Sequence, residues 1–252
     1  MSGETNEVIR TRALSRRYGR QMAVDRLDLS VLEGEIFGFL GPNGSGKTTT
    51  LLMLLGLTEP TAGTARVCGL DPNRDAVAVK RQVGYLPENL GFYPDMNARE
   101  NLGLVAALNG MDKADSRSLI DGVLDTVGLA DVGDKKLAAY SRGMRQRLGI
   151  AEILVKRPRV VFLDEPTLGL DPSGADRIVR FIHDLARDNG MTVMLSSHDL
   201  RQVQRICDRV GIMSGGRLVA CGTLDELAGD GPEAAGRTLD DIYLRYFEEG
   251  PE

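Results

Sequence analysis

Gly41-Pro42-Asn43-Gly44-Ser45-Gly46-Lys47-Thr48 fits the spacing G-x-x-x-x-G-K-[ST], in which each residue type answers a need of a polyphosphate. Glycines let backbone N–H groups turn inward around phosphate oxygens, and a helix beginning behind them adds the positive end of its dipole. Lys47 brings a point charge to the terminal phosphates, and Thr48 offers a hydroxyl to Mg²⁺. The candidate nucleotide-binding set is therefore Gly41, Pro42, Asn43, Gly44, Ser45, Gly46, Lys47, Thr48 and Thr49. A glycine-rich turn that merely precedes a helix is the plain alternative. A second cluster lies far along the chain, where Val160-Val161-Phe162-Leu163 runs into Asp164 and Glu165. An apolar strand ending in two acids suits the carboxyl edge of a parallel sheet, where ligands bind. Asp164 is placed to hold Mg²⁺ directly or through water, and Glu165 to orient or deprotonate an attacking water. Taken alone, the pair also reads as a helix cap or a surface acid pair. With the glycine loop upstream it reads as a hydrolytic nucleotide site.

These residues need elements to hold them. Glu35 to Leu40 is an apolar run of strand length directly before the glycine loop, and Thr49 to Leu57 is a Leu/Met-rich helical stretch directly after it. Val8 to Leu14 and Leu27 to Val31 read as strands; Leu27, Leu29 and Val31 alternate with Asp28 and Ser30, the pattern of a sheet with one wet face. Thr64 to Cys68 and Val83 to Leu86 are further short strands, separated by turn signals at Glu59-Pro60 and Asp71-Pro72-Asn73. Between about 97 and 156 the character turns helical, with segments near 97–109, 116–128 and 143–155. Afterwards strands and helices alternate: Arg159–Leu163, a helix over Ser173–Asn189, Thr192–Ser196, a helix from about Asp199, and strands near 209–213 and 217–220. That alternation predicts an α/β fold with a mostly parallel sheet, an antiparallel β region at the N-terminus and an inserted α-helical subdomain.

The chain has 252 residues, 42% hydrophobic and 27% charged, with a net charge of -5. This is ordinary for a globular domain and argues against a partner held by a broad basic field such as nucleic acid. No apolar run reaches the roughly 20 residues needed to cross a bilayer. Met1 to Glu7 shows no secretory pattern. Cys68, Cys207 and Cys221 form neither a disulfide framework nor a metal spacing. A reduced cytosolic setting is the simplest expectation, with any membrane supplied by a partner.

In chain order, the glycine loop, Tyr85-Leu86-Pro87-Glu88, Tyr140-Ser141-Arg142-Gly143-Met144-Arg145-Gln146, Val160 to Glu165, Gly169-Leu170-Asp171 and Ser196-Ser197-His198 together resemble the motifs of the ATP-binding cassette (ABC) ATPases. The resemblance covers about residues 7–228 and is strongest to nucleotide-binding subunits of the drug-, sodium- and lipid-exporter type. It implies a P-loop NTPase core and ATP as the nucleotide. Tyr18, after the first strand, would stack on adenine; a packing tyrosine is the alternative. Ser141 and Gly143 would close on the γ-phosphate held by a second subunit, so that two ATP are sandwiched in a head-to-tail homodimer, although a serine at a helix start is otherwise simply a cap. Asp171 would join that dimer interface, cap the following helix, or both. Glu88 stands where many members carry Gln; the resemblance makes it a sensor and a candidate metal ligand beside Thr48 and Asp164. His198 would bond the γ-phosphate and hold Glu165 and its water in place, giving a catalytic set of Lys47, Glu165 and His198. Arg142 and Met144 depart from the commoner wording of the signature segment.

The implied whole is an ATPase domain over 1–228, with a helical subdomain at about 88–156, followed by a loop and a short amphipathic helix over 229–252. Thr238-Leu239-Asp240-Asp241 resembles a capping box. Leu239, Ile242, Tyr243, Tyr246 and Phe247 fall on one stripe, suited to packing on the chain's own body. The resemblance implies a peripheral cytoplasmic subunit that drives transport, with export favoured, through separate integral-membrane permease subunits. One of their short helices would be received near Leu90-Gly91-Phe92-Tyr93-Pro94. The rival readings are a non-transport cassette ATPase acting on nucleic acid, ribosomes or iron–sulfur assembly, and a P-loop kinase.

Overall fold

Alternating burial builds the first layer. In the computed structural model, which describes residues 6–229 and 238–248, Leu27, Leu29 and Val31 are buried while Asp28 faces solvent. Strands β1 (Glu7–Tyr18) and β2 (Gln21–Leu32) form an antiparallel hairpin. Both run longer than expected, because their polar ends (Ser15 to Tyr18 on one strand) pair around the turn without an apolar pattern to announce them. β3 (Ile36–Leu40) is wholly buried, and α1 (Lys47–Leu54) follows the glycine loop. The chain then returns as β4 (Ala62–Val67) to the free side of β1, giving the sheet order β2-β1-β4. α2 (Ala76–Gln82) was not expected; it is seven residues long and sits behind the turn signals of Asp71-Pro72-Asn73.

β5 (Val83–Leu86) leads into three helices, α3 (Ala98–Leu108), α4 (Lys113–Thr126) and α5 (Arg142–Lys156). Asn97 starts α3 with a reciprocal cap: its side chain accepts from Glu100 N–H at 2.9 Å, and the Glu100 carboxylate accepts from Asn97 N–H at 2.8 Å. The three helices share a core of Leu102, Ala106, Ile120, Leu124, Leu148 and Val155. α5 also turns Ile150 and Ile153 toward the main core. One helix therefore carries both packings, and its start is fixed relative to both.

The second half alternates as β6 (Val160–Asp164), α6 (Pro172–Asn189), β7 (Thr192–Ser197), α7 (Leu200–Ile206), β8 (Arg209–Ser214) and β9 (Arg217–Gly222). The six-stranded sheet has the order β5-β6-β7-β3-β8-β9 and is parallel except for β9. Its register sets Ser196 beside both Phe39 and Asp164. The carboxyl ends of β3, β6 and β7 thus meet, which in an open α/β sheet is where a ligand sits.

α8 (Leu224–Ala228) ends where the loop is expected to begin, and 230–237 of that loop lie outside the described residues, as do 1–5. In α9 (Leu239–Glu248), Thr238 and Asp241 exchange capping hydrogen bonds of 2.8 and 3.3 Å. Leu239 and Ile242 are buried against the main core, with Tyr243 and Tyr246 half-buried beside them. The tail stripe therefore packs on the chain's own body; the Phe247 side chain lies outside the described residues.

Candidate active site

The glycine loop leaves β3 and enters α1 through backbone that only glycine holds without strain. Gly41, Gly44 and Gly46 have φ of 150°, 81° and 108°. A Cβ on Gly41 would lie 2.4 Å from Met213 O, and one on Gly46 2.5 Å from Ala23 O. Gly46 sits at the cap of α1 without a side-chain cap, so the first N–H groups of the helix are left for a ligand. Lys47 is buried, only 6% exposed, and donates from Nζ to Gly41 O at 2.6 Å and Pro42 O at 3.2 Å. Burial lowers its pKa, while Glu165 and Asp164 pull it back up. The buried Ser45 hydroxyl in the same loop has no hydrogen-bond partner. This fits a loop built for phosphate oxygens.

Across the sheet, Asp164 Oδ1 accepts from Thr48 Oγ1 at 3.2 Å and from Ser196 Oγ at 2.5 Å. Glu165 follows at φ 49°, left-handed backbone that a side chain adopts only under strain. Its N–H donates to Ser196 O at 3.1 Å and Ser196 Oγ at 3.2 Å, which holds it there. Glu165 Oε2 lies 2.8 Å from His198 Nδ1 and its Oε1 lies 3.9 Å from Lys47 Nζ. That Oε1 is buried and has no hydrogen-bond partner. Burial pushes the Glu165 carboxyl up, and His198 and Lys47 oppose the rise. A carboxylate set between an ammonium and an imidazole nitrogen, with one oxygen still free, is a fit arrangement for water.

Thr48 and Asp164 are the residues that would hold a metal. Among the described residues no cluster of three or more acids, histidines or cysteines could hold one unaided. Mg²⁺, which keeps waters and takes phosphate oxygens alongside one or two carboxylates, suits so sparse a set. Glu88 joins Tyr18, Asn43, Gly44, Lys47, Thr48 and Glu165 in lining one cavity of about 240 Å³. No hydrogen bond or ion pair ties Glu88 to Thr48 or Asp164. The Tyr18 ring is 45% exposed at the rim, with the Arg16 guanidinium 4.5 Å from its centre.

The remaining candidates are elsewhere. Ser141 caps α5, its hydroxyl accepting from Met144 N–H at 3.3 Å. Ser141, Gly143 and Asp171 line a separate cleft of about 570 Å³ that shares no lining residue with the glycine-loop cavity. Asp171 occupies the cap position of α6. It accepts from Ser173 Oγ at 2.6 Å, and that hydroxyl, joined by the Gly174 N–H, holds its carboxyl below the usual range. Of the 90–94 loop, Leu90 packs on the main core and Phe92 on the helical insert, while Tyr93 is 58% exposed. Sequence reasoning gave Ser196 no role, although it holds both acids. The signal is its register opposite Asp164, which only the assembled sheet reveals.

Comparison with known proteins follows the same lines. A family model described as "ABC transporter" matches residues 24–168. The chain is 43% identical over 212 residues to the bacitracin transport ATP-binding protein of Bacillus licheniformis, covering 84% of this chain and 68% of that protein. It is 40% identical over 230 residues to a daunorubicin resistance ATP-binding protein of Streptomyces coeruleorubidus, covering 91% and 71%. A solved structure described as the ATP binding subunit of an ABC transporter superimposes with a TM-score of 0.84 at 29% identity, covering 94% of this chain and 98% of that one.

Proposed function

This chain belongs to the ABC transporter family of ATP-binding proteins, and from that premise we propose that it hydrolyses ATP to drive transport through separate membrane-spanning subunits. The observation that carries the proposal is the convergence of Lys47, Thr48 and Glu165 on one cavity behind a glycine loop, with Asp164 bonded to Thr48 and His198 to Glu165. The glycine loop and the start of α1 grip the triphosphate, and Lys47 exchanges Gly41 O and Pro42 O for phosphate oxygens. Thr48 and Asp164 would hold Mg²⁺, which supplies charge neutralisation at the phosphates. Glu165 takes the proton of the attacking water at its carboxylate, while His198 fixes that carboxylate by the 2.8 Å contact. Positioning and charge stabilisation do most of the work in phosphoryl transfer. Tyr18 stacks on the base, and Glu88 senses the nucleotide from the cavity wall.

Ser141 and Gly143 line a cleft that shares no residue with the glycine-loop cavity, which supports the nucleotide of a second copy as their partner. Two chains arranged head to tail, with Asp171 at the contact, close around two ATP. Among the described residues no helix is long and apolar enough to cross a membrane. Permease partners therefore supply the path, with this chain peripheral on their cytoplasmic side, and the relatives named for bacitracin transport and daunorubicin resistance favour export. The test is phosphate release by the purified chain without any acceptor, paired with capture of tagged chain from membranes. Steady ATPase and co-purification of a polytopic membrane protein are expected. Activity that needs a small-molecule phosphate acceptor, or recovery with nucleic acid instead, would overturn the proposal.

A further inference from the structure

Arg142 stands between the two residues of the phosphate-closing turn and, among the described residues, pairs with no carboxylate. It is the first residue of α5, whose first turn has no acid, and a cation at that end of a helix opposes the macrodipole. Its side chain nonetheless has a defined place. A Cβ built on Gly169 would lie 2.3 Å from Arg142 Nη1, 2.4 Å from Cζ and 2.9 Å from Nε. The guanidinium fork therefore rests against the Gly169 backbone, whose φ of 71° also favours glycine. Gly169 lies in a turn chained directly to the proposed base: Leu168 N–H donates to Glu165 O at 3.1 Å, and Leu170 N–H to Thr167 O at 3.1 Å. Two residues later comes Asp171, in the same cleft as Ser141 and Gly143.

We propose that Arg142 is a positioning residue for hydrolysis, which by resting on Gly169 ties the Ser141–Gly143 turn to the Gly169–Asp171 turn and hence to Glu165. Closure of the first turn on a neighbour's nucleotide is then felt at the carboxylate of the same chain. The proposal rests on the two-chain ATPase reading above. A planar, rigid fork suits this contact, and the flexible ammonium of lysine does not. The side chain is exposed, so its removal leaves the core untouched.

The experiment measures kcat and KM for ATP, thermal midpoint, and ATP-induced dimer in the E165Q background, using the full chain. R142A is expected to lower kcat about tenfold, the scale of a small misplacement of reacting groups, with KM and thermal midpoint unchanged. R142K recovers nothing, and R142A adds no further loss to G169A, because both break one contact. Unchanged kcat in R142A overturns the proposal, and so does rescue by R142K, which would mark a free charge acting on phosphate. Additive losses in the double variant overturn it as well. A wild-type chain without ATPase, or an E165Q chain that never dimerises, removes the reading beneath it as well; an active, dimerising chain indifferent to R142A removes this proposal alone.

Discussion

The glycine-loop cavity and the Ser141–Asp171 cleft both lie at the start of a helix, yet they are built to opposite standards. In the first, Lys47, Asp164 and Glu165 are each under a tenth exposed, and each is held by partners of the same chain: Lys47 by backbone carbonyls and by Glu165, and Asp164 by the Thr48 and Ser196 hydroxyls. In the second, Ser141, Arg142, Asp171 and Arg177 are exposed, and among the described residues neither arginine forms a salt bridge, Arg177 only helping to lower the Asp171 carboxyl. Burying ions demands that they be paired within the chain, so the cavity is complete in one copy apart from its ligand. Exposed cations at the start of α5 and within α6 suit an anion brought by a second copy, the arrangement proposed above. The difference between the two regions is the structural argument for a two-chain machine.

That contrast can be broken at several points. E165Q should lower kcat about a thousandfold, within the range of a lost general base, while ATP binding persists; rapid turnover would take Glu165 out of the mechanism. S141A should cost about a hundredfold in kcat, as loss of one donor at a developing charge does, with ATP affinity of the isolated chain unchanged. Weaker binding to the monomer would place Ser141 in the wrong cavity. Y18A should raise KM for ATP about tenfold, the loss of one base–aromatic stack, with little change in kcat.

The pH profile tests the buried half. Glu165 must be ionised to accept a proton, and its carboxyl titrates above the ordinary range because it is buried. The acid limb of kcat should therefore begin at higher pH than an unperturbed carboxylate would give, and E165D should move it. The smallest effect expected is on stability. Burial raises the Glu152 carboxyl to about 7, so the folded chain holds a proton that the unfolded chain releases between its own lower pKa and that value. Stability contributed there falls as pH rises to about 7 and is flat above. E152Q should raise the thermal midpoint more at pH 8 than at pH 5; an equal shift at both would show that the carboxyl titrates normally.

Local chemistry made much of this legible beforehand. The glycine loop, the apolar run into Asp164 and Glu165, and the 3.6-residue stripe of α9 each depend on neighbours a few positions away, and they stand where the spacing placed them. The polar ends of the β1–β2 hairpin and the seven-residue α2 carried no periodic signal, so they were read short or missed. Ser196 was invisible for another reason. Its contacts with the Glu165 N–H and the Asp164 carboxylate come from strand register, which links residues 31 and 32 positions apart. The resting place of Arg142 on Gly169 likewise needed the helical insert to be packed on the main core.

The most direct measurement is the solution mass of E165Q by light scattering with and without ATP and Mg²⁺, together with bound ATP per chain. The account predicts a monomer that becomes a dimer holding one ATP per chain, and that S141A in the same background stays monomeric while still binding ATP. A nucleotide-saturated E165Q chain that remains monomeric would contradict it.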